Sequence, residues 1–432
     1  MSTDARKKVI IRAPAFSRSG YGEQTRFALR ALRKKEDILD LYLINIPWGQ
    51  TGCIIDVNDE RRWMEALLAK TNMYLQQGGQ FDASLQVTIP NEWEKMAPVN
   101  IGFTAGIETT MVAPIWLGKG NEMDKIIVVS NHSKEVYQRT VCSATNNDTG
   151  ETVNDYHLTA PINAVNYAVR KYDPVALDDV NLDYEKNFIT VAQWGKRKNL
   201  LNTLNWFIEE FHDEEVGLIL KTNTATDNMI DRKLTREKLE FFISKYPDKK
   251  CKIYLLHGTV SEGNLAWLYN HPQVCALINI GHGEGFGLPL FEAACNGLPL
   301  ITIPWSGQAD FIYAPNKKGK TRPMISKVDY KLQPVQEEAI WDGVIQKESM
   351  WAFADEKSYK KQLRDVHVNT DRCRSAAKRL QKHILKNFTK EDQYQEFFEA
   401  FWPENAWGSV DQIDEVLDLE GWLSDLDVEE HE

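Results

Sequence analysis

Short apolar runs of strand length alternate with segments of helical length in this 432-residue sequence, and the alternation recurs in two series. Parallel strands need a long crossover between them, usually a helix, so each series predicts one parallel sheet with helices on both faces. The runs of the first series lie at 8–12, 41–46, 85–89, 100–104 and 126–130, and those of the second at 188–192, 216–221, 252–256, 276–280 and 299–303. The sequence therefore predicts an α/β protein of two doubly wound domains.

The domain limits follow from the segments between and after these series. Residues 161–185 contain few apolar runs, so we predict an N-terminal domain at 1–168 and a second domain at 169–385. A later aromatic-rich segment, QYQEFFEAFW, has helical spacing and stops at Pro403, which predicts a separate C-terminal helix within 386–402. The remainder of the chain is an acidic tail.

Charge is distributed unevenly along the chain. The formal net charge is −11, from 62 acidic and 51 basic side chains. Residues 403–432 hold eleven Asp and Glu and no Lys or Arg, so the first 402 residues hold 51 side chains of each sign. Residues 1–35 hold ten basic and two acidic side chains. The net charge therefore excludes no anionic partner, because the whole excess lies in the tail.

Composition narrows the class of protein. The chain is 43% hydrophobic and 26% charged, which is typical of globular proteins and excludes collagenous and wholly disordered ones. No run of about 18 uncharged apolar residues exists, and the first residues lack the apolar region of a signal peptide. The six cysteines stand far apart, without the paired spacing of a zinc site or a disulfide framework. We expect a cytoplasmic protein with no membrane span and no metal site.

The stretch GHGEGFGLPLFEAACNGLP at 281–299 carries the strongest chemical signal. Its first seven residues contain four glycines, which follow an apolar strand and precede a helix-like segment at 288–295. Such a loop lets a backbone approach a ligand, and amides at a helix N-terminus favour an anion. Glu284 lies in the loop and Glu292 lies about two turns into the helix, so both carboxylates are expected to face one cleft. Carboxylates beside an anion site are favourable where they bind the hydroxyls of a sugar or ribose.

This stretch resembles the donor-site signature of the family 4 glycosyltransferases, which are retaining, nucleotide-sugar-dependent enzymes of the GT-B fold. The resemblance covers roughly residues 8–400, and it implies two Rossmann-like domains facing across a cleft, with the 386–402 helix crossing back to the N-terminal domain. Further matching segments are SGYGEQTR at 19–26, the pattern at 104–116 with 124–130, VAQWGKRKNL at 191–200, LILKTN at 218–223 and the runs at 255–260 and 265–269.

The resemblance implies a role for each matched residue. Lys198 would neutralise the diphosphate and stabilise the leaving nucleoside diphosphate. Glu284 would hold hydroxyls of the transferred sugar, and Glu292 would hold the ribose hydroxyls. The other donor-binding residues that the match implies are Gly20, Tyr21, Gly22, Arg197, Lys221, Gly283, Gly285, Phe286, Gly287 and Leu288. Because a lysine and backbone amides can take the place of a metal at a diphosphate, we predict no metal and no cofactor beyond the donor itself.

One position departs from the family pattern. The family usually has an arginine five or six residues before the diphosphate lysine, where this chain has Gln193 and Ala192. Either Lys196 or Arg197 would then supply the second positive charge. The alternative is a different geometry of the bound diphosphate.

Two further residues have structural explanations that compete with the functional ones. Glu108 lies in the turn after the 100–104 strand, across the cleft from the donor, where other members place a histidine. A carboxylate there would orient the acceptor hydroxyl or accept its proton, and it is equally suited to capping a helix that begins near Thr109. Lys221 is equally consistent with a solvated strand end.

The N-terminal domain of this fold normally holds the acceptor, and here that domain carries the basic residues of 1–35. The acceptor hypotheses are a glycan or lipid of a bacterial cell envelope, or a hydroxymethylated base in DNA as in some phages, so the location would be a bacterial cell or a phage-infected host. The alternative class of function is a catalytically weak nucleotide-sugar-binding protein that acts through its acidic tail.

The tail at 403–432 contains one helical signal. Leu419, Trp422, Leu423 and Leu426 have the spacing of a single helical face, surrounded by carboxylates. This predicts a short acidic amphipathic helix, and the alternative is a solvated disordered terminus. Such a tail would either cover the basic N-terminal segment or dock on a protein partner.

Overall fold

The computed structural model describes residues 6–49, 51–145, 150–178, 180–316 and 318–409. The strands within these residues are β1 (Lys7–Ala13), β2 (Leu39–Asn45), β3 (Ala83–Val87), β4 (Val99–Thr104), β5 (Lys125–Val128), β6 (Cys142–Thr145), β7 (Thr152–Tyr156), β8 (Ile162–Ala164), β9 (Lys186–Val191), β10 (Val216–Thr222), β11 (Lys252–His257), β12 (Val274–Asn279), β13 (Leu300–Thr302), β14 (Tyr313–Pro315), β15 (Thr321–Pro323), β16 (Ser326–Lys327), β17 (Tyr330–Pro334) and β18 (Met350–Ala354).

Helices occupy most of the connections between these strands. They are α1 (Gly20–Arg33), α2 (Asp59–Gln76), α3 (Pro114–Asn121), α4 (Asn131–Arg139), α5 (Leu200–Glu210), α6 (Met229–Ile243), α7 (Glu262–Asn270), α8 (Leu288–Cys295), α9 (Ala309–Ile312), α10 (Glu356–Val368), α11 (Thr370–Asn387), α12 (Lys390–Phe401) and α13 (Glu404–Trp407). The alternation of strand and helix is the one that the two series of apolar runs predict.

The strands form two separate parallel sheets of six strands each. The first has the order β2-β1-β3-β4-β5-β8 and the second the order β11-β10-β9-β12-β13-β16. In each sheet the first strand of the series lies in the interior, with later strands on both sides of it. Both sheets are therefore doubly wound, and the prediction of two such domains is confirmed.

The central strands are buried along their whole length, as parallel strands covered on both faces must be. Every residue of β3, β4 and β12 is buried. Such strands read as continuous apolar runs, which explains why the sequence locates them to within a few residues. For example, the run predicted at 276–280 is the second half of β12 and the residue after it.

The two domains meet at the carboxyl edges of their sheets. The turn after β4 packs against the loop after β12, so closely that a Cβ atom added to Gly285 would lie 2.7 Å from the carbonyl oxygen of Ala105. In open α/β sheets this edge is where ligands bind. The fold therefore brings the two ligand-binding edges together across one cleft.

The C-terminal helix α12 crosses back from the second domain to the first. Phe397 on α12 is fully buried, and its ring lies 5.6 Å from that of Phe27 on α1 and 5.0 Å from that of Phe103 on β4. Lys125 of β5 donates from Nζ to the carbonyl oxygen of Trp402 at 2.9 Å. Helix α12 thus completes the core of the first domain.

The acidic tail is described only at its beginning. The structure covers α13 and the residues up to 409, so the predicted amphipathic helix of 419–426 lies outside the described residues. The boundary predicted at residue 168 falls in the connection between β8 and β9. None of the helices in the described ranges is long and apolar enough to cross a membrane.

The buried ring of Phe397 provides a test of this packing. We expect Phe397→Ala to lower the free energy of unfolding by about 3–5 kcal/mol, because it removes a large side chain from between α1 and β4. Phe241→Ala is the control, since its side chain is 74% exposed on α6 and should change stability by less than about 0.5 kcal/mol. Equal stability of the two variants in urea titrations would contradict the packing of α12 described above.

Candidate functional site

The glycine-rich loop connects β12 to α8, which begins at Leu288 and ends at Cys295, as predicted. Gly287 precedes the helix with φ of +92°, a left-handed conformation that favours glycine. Within this loop and at the first residue of the helix, five backbone amides donate to no other described residue. They are the amides of Gly283, Gly285, Phe286, Gly287 and Leu288. Because free donors and the positive end of the helix dipole coincide here, the loop is suited to hold an anion.

Glu284 lies at the centre of this loop and is buried among donors. Lys198 Nζ donates to its Oε1 at 2.6 Å and to its Oε2 at 2.7 Å, and Arg197 Nη1 donates to Oε2 at 3.3 Å. Asn279 Nδ2 donates to Oε1 at 3.0 Å. The predicted residues Glu284, Lys198 and Arg197 are therefore in direct contact.

These contacts fix the ionisation of the cluster. Burial alone would raise the pKa of Glu284, but the charges of Lys198 and Arg197 lower it to about 2. Burial and the neighbouring Arg197 lower the pKa of Lys198, and Glu284 offsets part of that change. An ammonium group has three donors and Glu284 takes two, so Lys198 keeps one N–H for another acceptor.

Arg197 links the two domains across the cleft. Its Nη1 donates to the carbonyl oxygen of Gly283 at 2.7 Å, and its Nη2 lies 3.2 Å from Oε1 of Glu108. Burial lowers the pKa of Arg197, but Glu108 and Glu284 outweigh burial and raise it. Glu108 is thus an ion-pair partner of a residue in the second domain, and the structure gives it no helix to cap, since the next helix, α3, begins at Pro114.

Two glycines of the loop face the first domain. A Cβ atom on Gly283 would lie 2.3 Å from the carbonyl oxygen of Glu108, and one on Gly285 would lie 2.7 Å from that of Ala105. The sequence suggests that these glycines admit a ligand. In the structure they admit the backbone of the other domain.

Glu292 lies apart from Glu284. Its Oε1 accepts a hydrogen bond at 2.7 Å from Nε of Arg170, a residue of the connection between the two sheets. Burial raises the pKa of Glu292, and Arg170 offsets part of that change. The two carboxylates of the sequence motif do not share a partner, because each is bound by its own cations.

Lys221 is the last residue but one of β10, an interior strand of the second sheet, and it is half buried, so it is not a solvated strand end. No described residue forms a hydrogen bond or an ion pair with its ammonium group. Burial lowers its pKa, Glu292 raises it and Arg18 of the first domain lowers it further. Lys221 is therefore a cation within electrostatic reach of Glu292 that lacks a direct partner among the described residues.

Gly20, Tyr21 and Gly22, which the resemblance assigns to donor binding, form the first turn of α1. Ser19 caps the helix, and its Oγ accepts from the amide of Gly22 at 3.0 Å. Gly22 has no room for a side chain, since a Cβ atom there would lie 1.9 Å from the carbonyl oxygen of Ser17. The helix starts at Gly20 because this cap outweighs the poor helix propensity of two glycines.

The first turn of α1 lies at the carboxyl edge of the first sheet. The hydroxyl of Tyr21 is 2.7 Å from Oγ1 of Thr104, the last residue of β4. Burial raises the pKa of the Tyr21 hydroxyl, so it stays protonated at neutral pH. The N-terminus of α1 therefore faces the same cleft as that of α8.

Two residues that support Glu284 are not identified from the sequence. Asn279 binds its carboxylate, and Ser306 Oγ accepts from its backbone amide at 2.9 Å. Ser306 adopts a left-handed conformation with φ of +67°, which is uncommon outside glycine. The position of Asn279 at the very end of a buried strand is the one signal that points to it.

His132 is a further neighbour of the cluster that sequence reasoning misses. It lies on α4, where its Nε2 is 3.2 Å from the carbonyl oxygen of Thr109 and its ring is 5.1 Å from that of Trp305. Trp305 in turn borders Gly283. Burial lowers the pKa of His132 to about 4, so the ring is neutral at pH 7.

The arrangement offers groups that bind anions and groups that bind hydroxyls. Cations, free amides and carboxylates converge on the cleft from both domains. In the ranges that the structure describes, no group of three or more His, Cys, Asp or Glu side chains is placed to hold a metal ion. The site is therefore suited to a ligand that carries both phosphate and hydroxyl groups.

Comparisons with known proteins agree with this arrangement. No protein-family model matches the chain. Over 195 residues, or 44% of its length, the chain is 28% identical to the serotype-specific mannosyltransferase WbdA of Escherichia coli. The match spans only 22% of that relative, so the chain corresponds to about a fifth of its length.

Solved structures match almost the whole chain. A sucrose-phosphate synthase from Thermosynechococcus elongatus aligns with a TM-score of 0.59 at 12% identity, covering 92% of this chain and 98% of that one. HepE from Anabaena, solved with UDP and glucose, has a TM-score of 0.55 at 11% identity, with 91% and 99% covered. A glycosyltransferase from Rickettsia africae has a TM-score of 0.55 at 12% identity, with 93% and 99% covered. The GT-B fold is thereby confirmed.

The low pKa of Glu284 predicts a specific dependence of stability on pH. The pKa is about 2 in the folded chain against an ordinary value of 4.5, so the unfolded chain binds the proton first. The stability that Glu284 contributes, up to about 3 kcal/mol, is complete above the ordinary value and is lost as the pH falls towards 2.

We expect the wild-type free energy of unfolding to fall across that window, and Glu284→Gln to show a smaller slope in denaturant titrations at pH 5, 4 and 3. Glu338→Gln is the control, because Glu338 is exposed and should leave the slope unchanged. A slope in Glu284→Gln equal to that of the wild type would show that Glu284 is not held as an ion pair.

Proposed function

We propose that this GT-B chain is a glycosyltransferase that moves a sugar from a nucleoside diphosphate sugar to a hydroxyl group of an acceptor. The observation that carries the proposal is the Lys198–Glu284 pair beside the free amides at the N-terminus of α8. Both lie at the carboxyl edge of the second sheet, where this fold class binds ligands. The first domain closes over them and supplies the acceptor side.

The chemistry of the reaction explains why these groups are needed. As the bond between sugar and diphosphate breaks, negative charge develops on the leaving phosphate. The remaining N–H of Lys198 and the amides from Gly285 to Leu288 are donors already oriented before the reaction, so they stabilise that charge most in the transition state. Glu284 fixes Lys198 in position and accepts hydrogen bonds from hydroxyls of the sugar.

Lys221 is our candidate for the second cation at the diphosphate. Arg197 is already bound to Glu108 and Glu284, and Lys196 is exposed on the surface. Lys221 is half buried, faces the cleft and makes no ion pair with a described residue. The family arginine is missing at Ala192 and Gln193. Lys221 is therefore a better replacement for it than Lys196 or Arg197.

We also propose transfer with retention of configuration and without a metal. Glu284 and Glu108, the carboxylates beside the glycine loop, are both ion-paired with Arg197 or Lys198, so neither is a free base for an inverting attack. His132 is a weak base because its pKa is about 4. Positive charge for the diphosphate comes from side chains and amides, which makes a metal unnecessary.

The acceptor binds, in this proposal, on the first-domain side of the cleft near Glu108 and His132. The name of the matched relative, a serotype-specific mannosyltransferase, favours a cell-envelope glycan as the acceptor class and mannose as the first donor sugar to test. A cytoplasmic location goes with this proposal. The donor base stays open between uridine and guanosine.

A DNA acceptor has less support, because carboxylates of the same domain neutralise much of the charge of the basic N-terminal segment. Half of its ten cations pair with carboxylates of the same domain. These are Arg6, Arg12, Arg18, Arg26 and Arg30. The competing class of function, a nucleotide-sugar-binding protein that acts through its tail, is separated from the enzyme by a turnover measurement.

Lys198 gives the most direct test of the enzyme. We expect Lys198→Met to lower kcat for donor hydrolysis and for sugar transfer by about 100-fold or more, because it removes an oriented donor to the leaving group. Lys196→Met is the matched control, since Lys196 is exposed two residues away and should keep wild-type turnover. Turnover would be measured with a panel of UDP- and GDP-sugars and confirmed against thermal unfolding of each variant. Wild-type turnover in Lys198→Met would sink the catalytic assignment, and no turnover by the wild type with any donor would favour the binding protein.

Metal independence and retention have their own measurements. We expect activity to be unchanged by excess EDTA, and the anomeric configuration of the new bond, read by NMR, to match that of the donor. Loss of activity that Mg²⁺ or Mn²⁺ restores, or an inverted product, would contradict the mechanism proposed here.

A further inference from the structure

A chain of buried ion pairs runs from Glu292 on α8 to α1 in the other domain. Arg170 donates from Nε to Oε1 of Glu292 at 2.7 Å and from Nη1 to Oε1 of Glu23 on α1. Glu23 also accepts from Arg26 at 3.1 Å and from Arg30 at 2.9 Å. The side chains of Glu23, Arg170 and Glu292 are only 9%, 10% and 15% exposed.

Stability alone does not account for this chain. Removing charges from water costs about as much as their mutual attraction returns, and well-packed apolar residues often replace buried ion pairs at no loss. Here the charges come from three separate segments, namely α1, the connection between the sheets and α8. Their shared end is Glu292, the carboxylate assigned to the ribose.

One of the two carboxylate oxygens of Glu292 is available to a ligand. Arg170 binds Oε1, whereas Oε2 accepts no hydrogen bond from any described residue. A planar guanidinium that is bound on its other side by Glu23 holds this carboxylate in one plane. A glutamate without such a partner would have to lose side-chain rotamer freedom each time it bound a ligand.

We propose that Arg170 and Glu23 are positioning residues for nucleotide recognition, which hold Glu292 so that its free oxygen accepts from the hydroxyls of the donor ribose. The inference rests on the proposed function and on the ribose-binding role that the sequence resemblance implies for Glu292. Neither Arg170 nor Glu23 touches the nucleotide, and their effect passes through Glu292. Recognition of ribose in the second domain therefore depends on a residue of the first.

The selectivity for ribose tests this role more sharply than affinity does. We would measure by calorimetry the Kd of UDP and of 2′-deoxy-UDP, or of GDP and 2′-deoxy-GDP if guanosine binds more tightly. We expect the wild type to prefer the ribonucleotide by about tenfold or more, as a hydrogen bond to a charged group implies. In Arg170→Gln the preference should fall to about twofold or less, with a smaller loss in Arg170→Lys, which keeps the charge.

Glu23→Gln is the second variant, because it leaves Arg170 beside Glu292 but removes the charge that holds it. We expect its ribose preference to fall below half of the wild-type value, and this variant decides the question if Arg170→Gln does not fold. Glu60→Gln is the matched control. Arg30 donates from Nη2 to Oε2 of Glu60 at 2.9 Å, at the far end of the same chain of charges. The Glu60→Gln variant should therefore keep the wild-type preference for ribose.

Each outcome separates the inference from the proposed function. An unchanged ribose preference in the folded Arg170 or Glu23 variants would overturn the positioning role alone. A loss of preference in Glu60→Gln equal to that in Glu23→Gln would do the same, because it would reflect general destabilisation. A wild type that binds neither UDP nor GDP would overturn both, whereas one that binds selectively but transfers no sugar would overturn only the proposed function.

Discussion

The contact between the two domains at the centre of the molecule depends on the guanidinium group of Arg197. It binds a carbonyl oxygen and a carboxylate of the glycine loop and, at the same time, the Glu108 carboxylate of the opposite domain. A planar group with several fixed donors can satisfy acceptors from different directions, which the single ammonium of a lysine cannot do with comparable geometry. The buried carboxylate of Glu284 stays ionised because this cation and Lys198 both bind it.

The loops that carry the site also carry the contact between domains, and this gives the glycines two functions. Gly287 allows the left-handed turn that starts α8, whereas Gly283 and Gly285 allow the backbone of the first domain to come close. A side chain at either of the latter positions would push the domains apart. Closure of the cleft and presentation of the amides therefore depend on the same short segment.

The fold and the centre of the site could be read from the sequence because both depend on local patterns. Fully buried parallel strands read as nearly continuous apolar runs, and a helix that starts on a left-handed residue favours a glycine there. The start of α1 was harder to predict from the sequence, since glycine propensity argues against a helix and only the Ser19 cap argues for it.

The partner of Glu292 could not be read from the sequence at all. Arg170 is separated from it by 122 residues and lies in a connection with no periodic pattern. His132 meets Trp305 only because two domains pack together. Contacts of this kind arise from the arrangement of the domains, and no local pattern records them.

The return of α12 to the first domain has a consequence for synthesis of the chain. The first sheet is translated early, yet Phe27 and Phe103 lack the ring that contacts them both until Phe397 and the residues around it have left the ribosome. The second domain, whose strands end with β18 at Ala354, can bury its own sheet before that point. The half of the protein that is made first is therefore the half that is finished last, and until then it exposes an apolar surface that the growing chain has to protect.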